Sequence, residues 1–220
     1  MLKAARLNID EMEEQCMRLI DEAGARLDMA HTGVHYVLSS TYHSEFFFNM
    51  PRAFERYSTR NYLAQFFLRK MKLEMKESDI DLGAINVLIG PATGALPLLY
   101  TLQSFPELDH TRVMFAERVS RGGFSLGRGF EFQENDQVFI ADDVGTTFSS
   151  IRGVKKLLEQ FSCSVVGAGV MVDRSPMEKE VEHPKNKALG MRFVCGVRAP
   201  HAYYENECPH CKNGIPLMRI

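Results

Sequence analysis

The chain has 220 residues, 45% of them hydrophobic and 25% charged, which is the composition of an ordinary soluble globular protein. Its 26 Lys and Arg residues and 28 Asp and Glu residues leave a formal net charge of −2, so electrostatics gives no reason to expect a nucleic acid or a membrane as the main partner. The longest apolar runs are far shorter than the ~20 residues that span a bilayer. An anionic ligand therefore needs a local binding site.

Cysteine usage and the N-terminal residues predict a cytoplasmic protein. The first residues turn acidic at once and contain no apolar signal core. The five cysteines are an odd number, which argues against a disulfide framework. Cys16, Cys163 and Cys195 stand singly among apolar residues and are expected to be small core residues.

Cys208 and Cys211 form a C-x-x-C pair near the C-terminus. A structural zinc site needs four ligands, which usually come as two such pairs. Here the second pair would have to come from scattered histidines, such as His201 and His210, or from another subunit. We therefore expect no metal ligands in the chain and a reduced turn or a labile disulfide at this pair, with a structural zinc site as the alternative.

The N-terminal part of the chain alternates helical and extended patterns. Asp10 and Glu13 suggest a capping box, and the apolar residues that follow have the helical period. The elements predicted here are a helix from about Asp10 to Leu27, a β-type stretch over Gly33–Leu38 and a second helix from Thr59 to about Met75.

From residue 85 onwards, short β-rich runs alternate with helical patterns. Because these strands are apolar throughout, they predict a mainly parallel sheet covered by helices on both faces, and so an α/β fold. The strands are expected at Ile85–Ile89, Val113–Ala116, Val138–Ala141 and Val165–Val172, and the helices at Gly94–Gln103 and Ser149–Phe161. The glycine-rich stretch Gly123–Phe130 is expected to be a mobile loop that enters another strand.

The segment Val138–Ser150 is the most informative for chemistry, because an apolar strand runs into two carboxylates and then into hydroxyl residues that open a helix. Ligands of parallel sheets bind where strands end and helices begin, and the N–H groups at a helix N-terminus favour a phosphate. The carboxylates of Asp142 and Asp143 suit sugar hydroxyls or a hydrated Mg²⁺ ion. The segment thus fits a ribose 5-phosphate. On the residues alone, a capped helix preceded by solvated acids fits equally well.

This segment resembles the phosphoribosyl pyrophosphate motif of the type I phosphoribosyltransferases. The rest of the chain resembles the orotate phosphoribosyltransferases among them, in order and over nearly its whole length. The stretches that carry this resemblance are Gly33–Ser40, His43-Ser44, Phe46–Asn49, Gly90–Gly94, Phe115–Arg118, Arg128–Phe130, Asp173–Ser175 and Cys208–Leu217.

The resemblance implies a type I phosphoribosyltransferase fold, in which a mainly parallel central sheet is flanked by helices and joined by an N-terminal hood. It implies a single domain over residues 1–220, with the core sheet within residues 80–175 and the hood and base site formed by residues 1–50 and the C-terminal part. It further implies a Mg²⁺-dependent enzyme of pyrimidine biosynthesis that uses phosphoribosyl pyrophosphate and orotate. A homodimer with shared active sites is expected, without a nucleic acid or membrane partner.

The resemblance also assigns roles to individual residues. Asp142, Asp143 and Arg118 are expected to act in catalysis. The expected ligands of phosphoribosyl pyrophosphate are Val144, Gly145, Thr146, Thr147, Phe148, Ser149, Ser150, Arg121, Thr93 and Gly94. The expected ligands of orotate are Ser39, Phe47, Phe48, Thr146 and Arg174. Because neighbouring side chains of a strand face opposite ways, at least one of the two phenylalanines can belong to the core.

The chain departs from the family pattern in three places. Phe148 and Ser149 replace the usual glycines of the phosphate turn, Thr41 replaces another glycine, and Arg118 replaces a lysine. The bulk of Phe148 would crowd the phosphate if the turn required a close approach or an unusual φ. Two alternatives therefore stay open: a phosphoribosyltransferase for another base, and a regulator that binds phosphoribosyl pyrophosphate without turnover. Retention of both acids and of Arg174 argues against the regulator.

Overall fold

The structure is a computed structural model that describes residues 8–38, 41–77, 80–120, 122–127, 129–175, 190–199 and 202–219. The helices among these residues are α1 (Ile9–Glu22), α2 (Met29–Thr32), α3 (Met50–Glu55), α4 (Tyr57–Lys76), α5 (Leu96–Gln103), α6 (Ser149–Leu158) and α7 (Pro209–Lys212). The strands are β1 (Arg26–Asp28), β2 (His35–Val37), β3 (His43–Ser44), β4 (Phe46–Phe48), β5 (Val87–Pro91), β6 (Arg112–Arg118), β7 (Phe124–Leu126), β8 (Asp136–Gly145), β9 (Cys163–Asp173), β10 (Arg192–Arg198), β11 (Ala202–Tyr203) and β12 (Leu217–Arg219).

A six-stranded sheet in the order β10, β9, β8, β5, β6, β7 forms the centre of the molecule. Its neighbouring strands are parallel, except that β7 pairs antiparallel with β6. The mainly parallel α/β sheet predicted from the apolar strands is therefore confirmed. The sheet extends further along the chain than the expected range 80–175, because β10 adds residues 192–198 at one edge.

Helices cover both faces of this sheet, because its strands alternate apolar side chains between two cores. Leu88 and Phe139 pack on one face with side chains of α1, α3, α4 and α5. Val87 and Ile140, their neighbours in sequence, pack on the other face with α6. Strands buried on both sides explain why these segments are continuously apolar. Among the described residues, no helix is both long and apolar enough to span a membrane.

A second sheet, the hood, joins the two ends of the chain. Its four strands lie in the order β11, β3, β2, β12. The β2 and β3 strands form an antiparallel hairpin, and the C-terminal strands β12 and β11 flank it on either side. The β1 and β4 strands form a separate antiparallel pair in which Leu27 is opposite Phe47. The N-terminal hood expected from the resemblance is confirmed.

The first helix begins and ends earlier than predicted. Asn8 caps it, because its side chain accepts from the Glu11 N–H at 2.9 Å and the Glu11 carboxylate accepts from the Asn8 N–H at 2.8 Å. The prediction of a capping box at Asp10 is therefore wrong. The helix ends at Glu22, and Gly24, whose φ is +62°, turns the chain into β1.

The later elements lie close to their predicted positions, with two differences that concern the site. The β8 strand does not stop before the acids but continues through both of them to Gly145, paired with β9 along the way. The stretch Gly123–Phe130 contains the short strand β7, which folds back on β6 as a hairpin.

Candidate active site

A small polar cleft opens at the end of β8, where this strand passes into α6. The strand lies between β9 and β5, so its carboxyl end is a position where parallel sheets bind ligands. The cleft is lined by Arg118, Asp142, Val144, Gly145, Thr146, Thr147, Phe148, Ser149, Ser150, Ile151, Val170 and Arg174. The structure thus brings together most of the residues that the sequence predicted for one site.

The turn between β8 and α6 is shaped by Gly145 and Phe148. Phe148 adopts the left-handed backbone conformation, with φ of 55° and ψ of 22°. Its ring is 9% exposed and packs edge-on against Phe193, with 4.9 Å between the ring centroids. A Cβ atom at position 145 would lie only 2.3 Å from this ring. The side chain of Phe148 therefore packs in the core below the turn, in space that is open because Gly145 has no side chain.

The N-terminus of α6 offers donors for an anion. The first N–H groups of a helix have no partners within it and carry a partial positive charge. The hydroxyls of Thr146, Thr147 and Ser149 lie on the same turn and are at least partly exposed. Ser150 Oγ accepts a hydrogen bond of 2.9 Å from Arg118 Nη2. Backbone, hydroxyl and guanidinium donors in one cleft form an arrangement suited to a phosphate.

The buried Asp142 and the half-buried Asp143 form an acidic pair at the end of β8. Asp142 Oδ1 accepts from the Asp143 N–H at 2.9 Å, and Asp143 Oδ1 accepts from the Val144 N–H at 2.8 Å. Burial and then the charge of Asp143 raise the pKa of Asp142, and burial also raises the pKa of Asp143. Hydroxyl donors or a cation would stabilise the ionised pair, and hard carboxylate oxygens are the ligands that Mg²⁺ prefers.

The turn after β5 lies directly against this acidic pair. A Cβ atom on Gly94 would come within 2.7 Å of Asp143 Oδ2, so only glycine allows the backbone to approach the carboxylate so closely. Thr93, the preceding residue, is exposed on the same turn. Thr93 and Gly94, two of the predicted ligands of phosphoribosyl pyrophosphate, are therefore next to the predicted catalytic acid.

Arg174 contributes a buried guanidinium with an incomplete set of partners. It directly follows β9, is 7% exposed, and donates from Nε to Thr146 Oγ1 at 2.8 Å. Its Nη1 is buried and has no hydrogen-bond partner in the described part of the chain. Burial lowers the pKa of Arg174 to about 10, and Asp143 opposes this shift, so the side chain stays charged at neutral pH. A buried cation with an unused donor is suited to an anionic ligand.

Asp173 orients the segment that carries this arginine. It is fully buried, and its Oδ2 accepts from Arg198 Nη1 at 2.9 Å. Its Oδ1 accepts from the Ser175 N–H at 2.9 Å. Ser175 Oγ is also buried without a partner among the described residues. Sequence reasoning named this serine only as part of the Asp173–Ser175 stretch and did not predict it as a ligand.

Phe47 and Phe48 face opposite sides of β4, as strand alternation requires. The Phe47 ring lies below the guanidinium of Arg174, with 5.9 Å between Cζ and the ring centroid. Phe48 is 5% exposed and belongs to the main core. The structure therefore corrects the expectation for Phe48, which packs in the core, and leaves Phe47 beside the cleft. Ser39 lies outside the described residues.

Arg118, at the end of β6, lies at the α6 side of the cleft of its own chain. Besides its bond to Ser150, its Cζ is 4.9 Å from the centroid of the Phe124 ring. After Arg118 the chain folds back, and β7 pairs with β6 as a hairpin. Arg121 and Arg128 lie outside the described residues. The expected sharing of active sites between two subunits stays a prediction.

The chain is similar to curated orotate phosphoribosyltransferases of several bacteria. That of Thermoanaerobacter sp. is 32% identical over 90% of this chain and 93% of the relative. The chain belongs to the orotate phosphoribosyltransferase family. The orotate phosphoribosyltransferase of Caldanaerobacter subterraneus is 31% identical over 88% of this chain and 91% of the relative. No model of a known protein family matches the chain.

Solved structures of orotate phosphoribosyltransferases share the fold. The crystal structure of the protein from Aeropyrum pernix has a TM-score of 0.59 and 24% sequence identity, covering 83% of this chain and 93% of that chain. The type I phosphoribosyltransferase fold predicted from the motifs is therefore confirmed.

One group of residues in this orotate phosphoribosyltransferase family member was missed as a site. In the hood, His35 and His43 lie beside the C-x-x-C pair, with ring nitrogens 3.3 and 3.2 Å from Cys211 Sγ. Of the two histidines named from the sequence as candidate partners, His201 lies outside the described residues and His210 is 4.0 Å from a carboxylate oxygen of Glu45. The overlooked signal was an H-x₇-H pair around a hairpin turn.

Proposed function

We propose that the protein is an orotate phosphoribosyltransferase of pyrimidine biosynthesis. It transfers the phosphoribosyl group of phosphoribosyl pyrophosphate to orotate and releases orotidine 5-phosphate and pyrophosphate. The observation that carries the proposal is the buried guanidinium of Arg174, which shares a hydrogen bond with Thr146 of the phosphate turn and keeps Nη1 without a partner among the described residues. Orotate has a carboxylate that a planar guanidinium can bind with two parallel hydrogen bonds. Family membership supports the same substrate.

The 5-phosphate is proposed to bind at the N-terminus of α6. Its oxygens would accept from the N–H groups of residues 144–150 and from the hydroxyls of Thr147, Ser149 and Ser150. Thr146 accepts from Arg174 at its oxygen and so can turn its own hydroxyl proton toward the phosphate or the base. The inward packing of the Phe148 ring supports this role, because it keeps the face of the turn open.

The acidic pair is proposed to hold the ribose hydroxyls. Asp142 and Asp143 supply carboxylate oxygens at the end of β8, next to the Thr93-Gly94 turn. The same oxygens fit a hydrated Mg²⁺ ion, which when bound neutralises charge on the leaving pyrophosphate. Burial raises the pKa of both carboxyl groups. Hydrogen bonds donated by the ribose hydroxyls would oppose this effect, because they favour the ionised form.

Catalysis is proposed to rest on positioning and electrostatics. A bond forms between orotate N1 and ribose C1 while the bond from C1 to pyrophosphate breaks, and the proton of N1 passes to solvent or to the departing pyrophosphate. Positive charge therefore develops on the ribose and negative charge on pyrophosphate. The Asp143 carboxylate would stabilise the positive charge on the ribose, and Arg118 and Arg121 would stabilise the negative charge on pyrophosphate. Phe47 and Arg174 would hold the plane and the carboxylate of orotate in line with C1.

A homodimer with shared active sites is the proposed assembly. The β6–β7 hairpin supports it, because Val119 next to its tip is 39% exposed and could reach a second subunit. A cytoplasmic location is proposed because none of the five cysteines forms a disulfide, which is usual for proteins in reducing compartments.

A panel of bases tests the proposed activity. The full chain is incubated with phosphoribosyl pyrophosphate, Mg²⁺ and one of orotate, uracil, adenine or hypoxanthine, and pyrophosphate release is followed. We expect pyrophosphate release with orotate and with none of the other three bases. Release with a different base would assign the protein to that base. Binding of phosphoribosyl pyrophosphate in calorimetry without release for any base would make it a non-catalytic binding protein.

A further inference from the structure

We propose that the hood contains a structural zinc site formed by two imidazoles and two thiols. The four residues are His35, His43, Cys208 and Cys211. Together they form the His₂Cys₂ cluster. This site is separate from the cleft, shares no residue with it, and does not depend on the proposed activity.

The ligand atoms already converge on one point. One atom from each residue lies within 4.8 Å of each of the other three. Cys211 Sγ is 3.3 Å from His35 Nε2 and 3.2 Å from His43 Nδ1. With Zn–S bonds of about 2.3 Å and Zn–N bonds of about 2.0–2.1 Å, the ligands of a tetrahedral zinc ion lie about 3.4–3.8 Å apart. Small adjustments therefore suffice to place an ion between them.

Strand geometry explains why two residues distant from the C-terminus take part. His43 on β3 is opposite Val37 on β2, and His35 lies two residues before Val37. Because side chains of a strand alternate, His35 and His43 project from the same face of the hairpin. The C-terminal segment brings Cys208, the N-cap residue of the four-residue helix α7, and Cys211, within that helix, to the two histidines.

The surroundings of His35 match those of a metal ligand. Its Nδ1 is 3.0 Å from the backbone oxygen of Pro216, so this nitrogen donates its proton and leaves Nε2 with a lone pair toward Cys211. Metal-bound histidines commonly have their second nitrogen fixed in this way by a carbonyl group. The same oxygen accepts from the His35 backbone N–H at 2.9 Å, which anchors the residue before β12 to β2.

Burial favours a bound ion over free thiols and imidazoles. His35, His43 and Cys208 are at most 2% exposed, and no disulfide joins Cys208 to Cys211. Two thiolates and one Zn²⁺ ion carry no net charge, so the complex can be buried where separate ions could not. Four protein ligands close the coordination sphere, which is typical of structural rather than catalytic zinc. The ion would tie the C-terminal segment to the N-terminal hairpin.

Metal analysis of the full chain tests this site. The protein is purified with a thiol reductant and without added metal, and its zinc is counted by mass spectrometry. We expect about one zinc ion per chain. Cys211→Ser, which alters the one exposed member of the cluster, should lose it. Cys163→Ser, at a cysteine outside the cluster, should retain it. When Co²⁺ replaces zinc, the Cys163→Ser protein should show the visible absorption of tetrahedral, thiolate-bound cobalt. The Cys211→Ser protein should show no such absorption.

A strong chelator gives a second readout. It should lower the melting temperature of the wild type and of Cys163→Ser, and leave that of Cys211→Ser unchanged, because a bound metal stabilises the folded state by mass action. A folded wild type that contains no zinc and gives no cobalt spectrum would overturn the proposal. Zinc retained by Cys211→Ser, or a disulfide between Cys208 and Cys211 found by thiol titration, would do the same. None of these measurements uses enzymatic activity, so failure here leaves the proposed function in place.

Discussion

The ring of Phe148 occupies the space that a side chain at position 145 would need. The distance between a Cβ atom built on Gly145 and Phe148 Cε1 is 2.3 Å, and Val170 Cγ1 would lie at 2.9 Å. The two residues flank the Thr146-Thr147 pair of the phosphate turn. A large residue where the family usually has glycine is therefore compatible with an open turn, because its neighbour three positions earlier has no side chain.

This relationship predicts an energetic coupling between the two positions. Gly145→Ala should lower the free energy of unfolding by about 1–3 kcal/mol, since the new methyl group overpacks the core. In a Phe148→Ala background the same change should cost less, with a coupling of about 0.5–3 kcal/mol in urea denaturation. Gly83→Ala, whose Cβ would meet no atom closer than 3.4 Å, is the control. An equal cost of Gly145→Ala in both backgrounds would contradict the contact.

Asp142→Asn should stabilise the free protein at neutral pH. Burial raises the pKa of Asp142, so the folded chain binds its proton more tightly than the unfolded chain. The contribution of Asp142 to the free energy of unfolding is therefore fully present below the ordinary aspartate pKa. It is lost as the pH rises through the raised pKa of the folded state. The variant should therefore melt at a higher temperature than the wild type at neutral pH, and the difference should shrink toward about pH 4. The exposed Asp109→Asn is the control; a difference that does not change with pH would contradict the assignment.

Asp143→Asn should lower turnover by roughly 10²–10³-fold while the protein stays folded, because its charge is proposed to act mainly in the transition state. The asparagine oxygen can still accept from the Val144 N–H, as Asp143 Oδ1 does at 2.8 Å. Turnover is measured at saturating substrates, and thermal unfolding checks the fold. Near wild-type turnover would remove the proposed role.

Mixing two inactive variants tests whether sites are shared between subunits. Arg118→Ala and Asp143→Asn would place their lesions in different chains of a shared site. Random exchange gives about half mixed dimers, each with one intact site of two, so activity should return to about a quarter of the wild-type value. A pull-down with tagged chains confirms exchange. No recovery after confirmed exchange would assign Arg118 to its own chain, where it contacts Ser150 in the structure.

The fold and the turn between β8 and α6 could be predicted because they rest on local patterns. Continuously apolar strands require cover on two faces, and an acid pair followed by hydroxyl residues marks a strand end that opens a helix. The left-handed backbone of Phe148 shows the limit of such patterns. Sequence alone indicated the possible crowding but not the direction of the ring, which depends on Gly145 and Phe193.

The hood was harder to predict because its contacts join distant parts of the chain. His35 and Cys211 are brought together by the parallel pairing of β12 with β2, for which the sequence offers no local signal. The same applies to Phe47, whose place below Arg174 depends on packing between β4 and the end of β9. Alternation did predict that Phe47 and Phe48 face opposite ways, but not which of them enters the core.

The preference for orotate over uracil tests the central claim most directly, because the two bases differ only in the carboxylate that Arg174 is proposed to bind. We predict that the wild type has a measurable kcat/KM for orotate and little or none for uracil. Arg174→Ala should raise the KM for orotate far more than that for phosphoribosyl pyrophosphate, and Arg174→Lys should restore only part of the loss, since lysine lacks the planar pair of donors. Equal use of both bases by the wild type, or equal losses for both substrates in Arg174→Ala, would contradict the account.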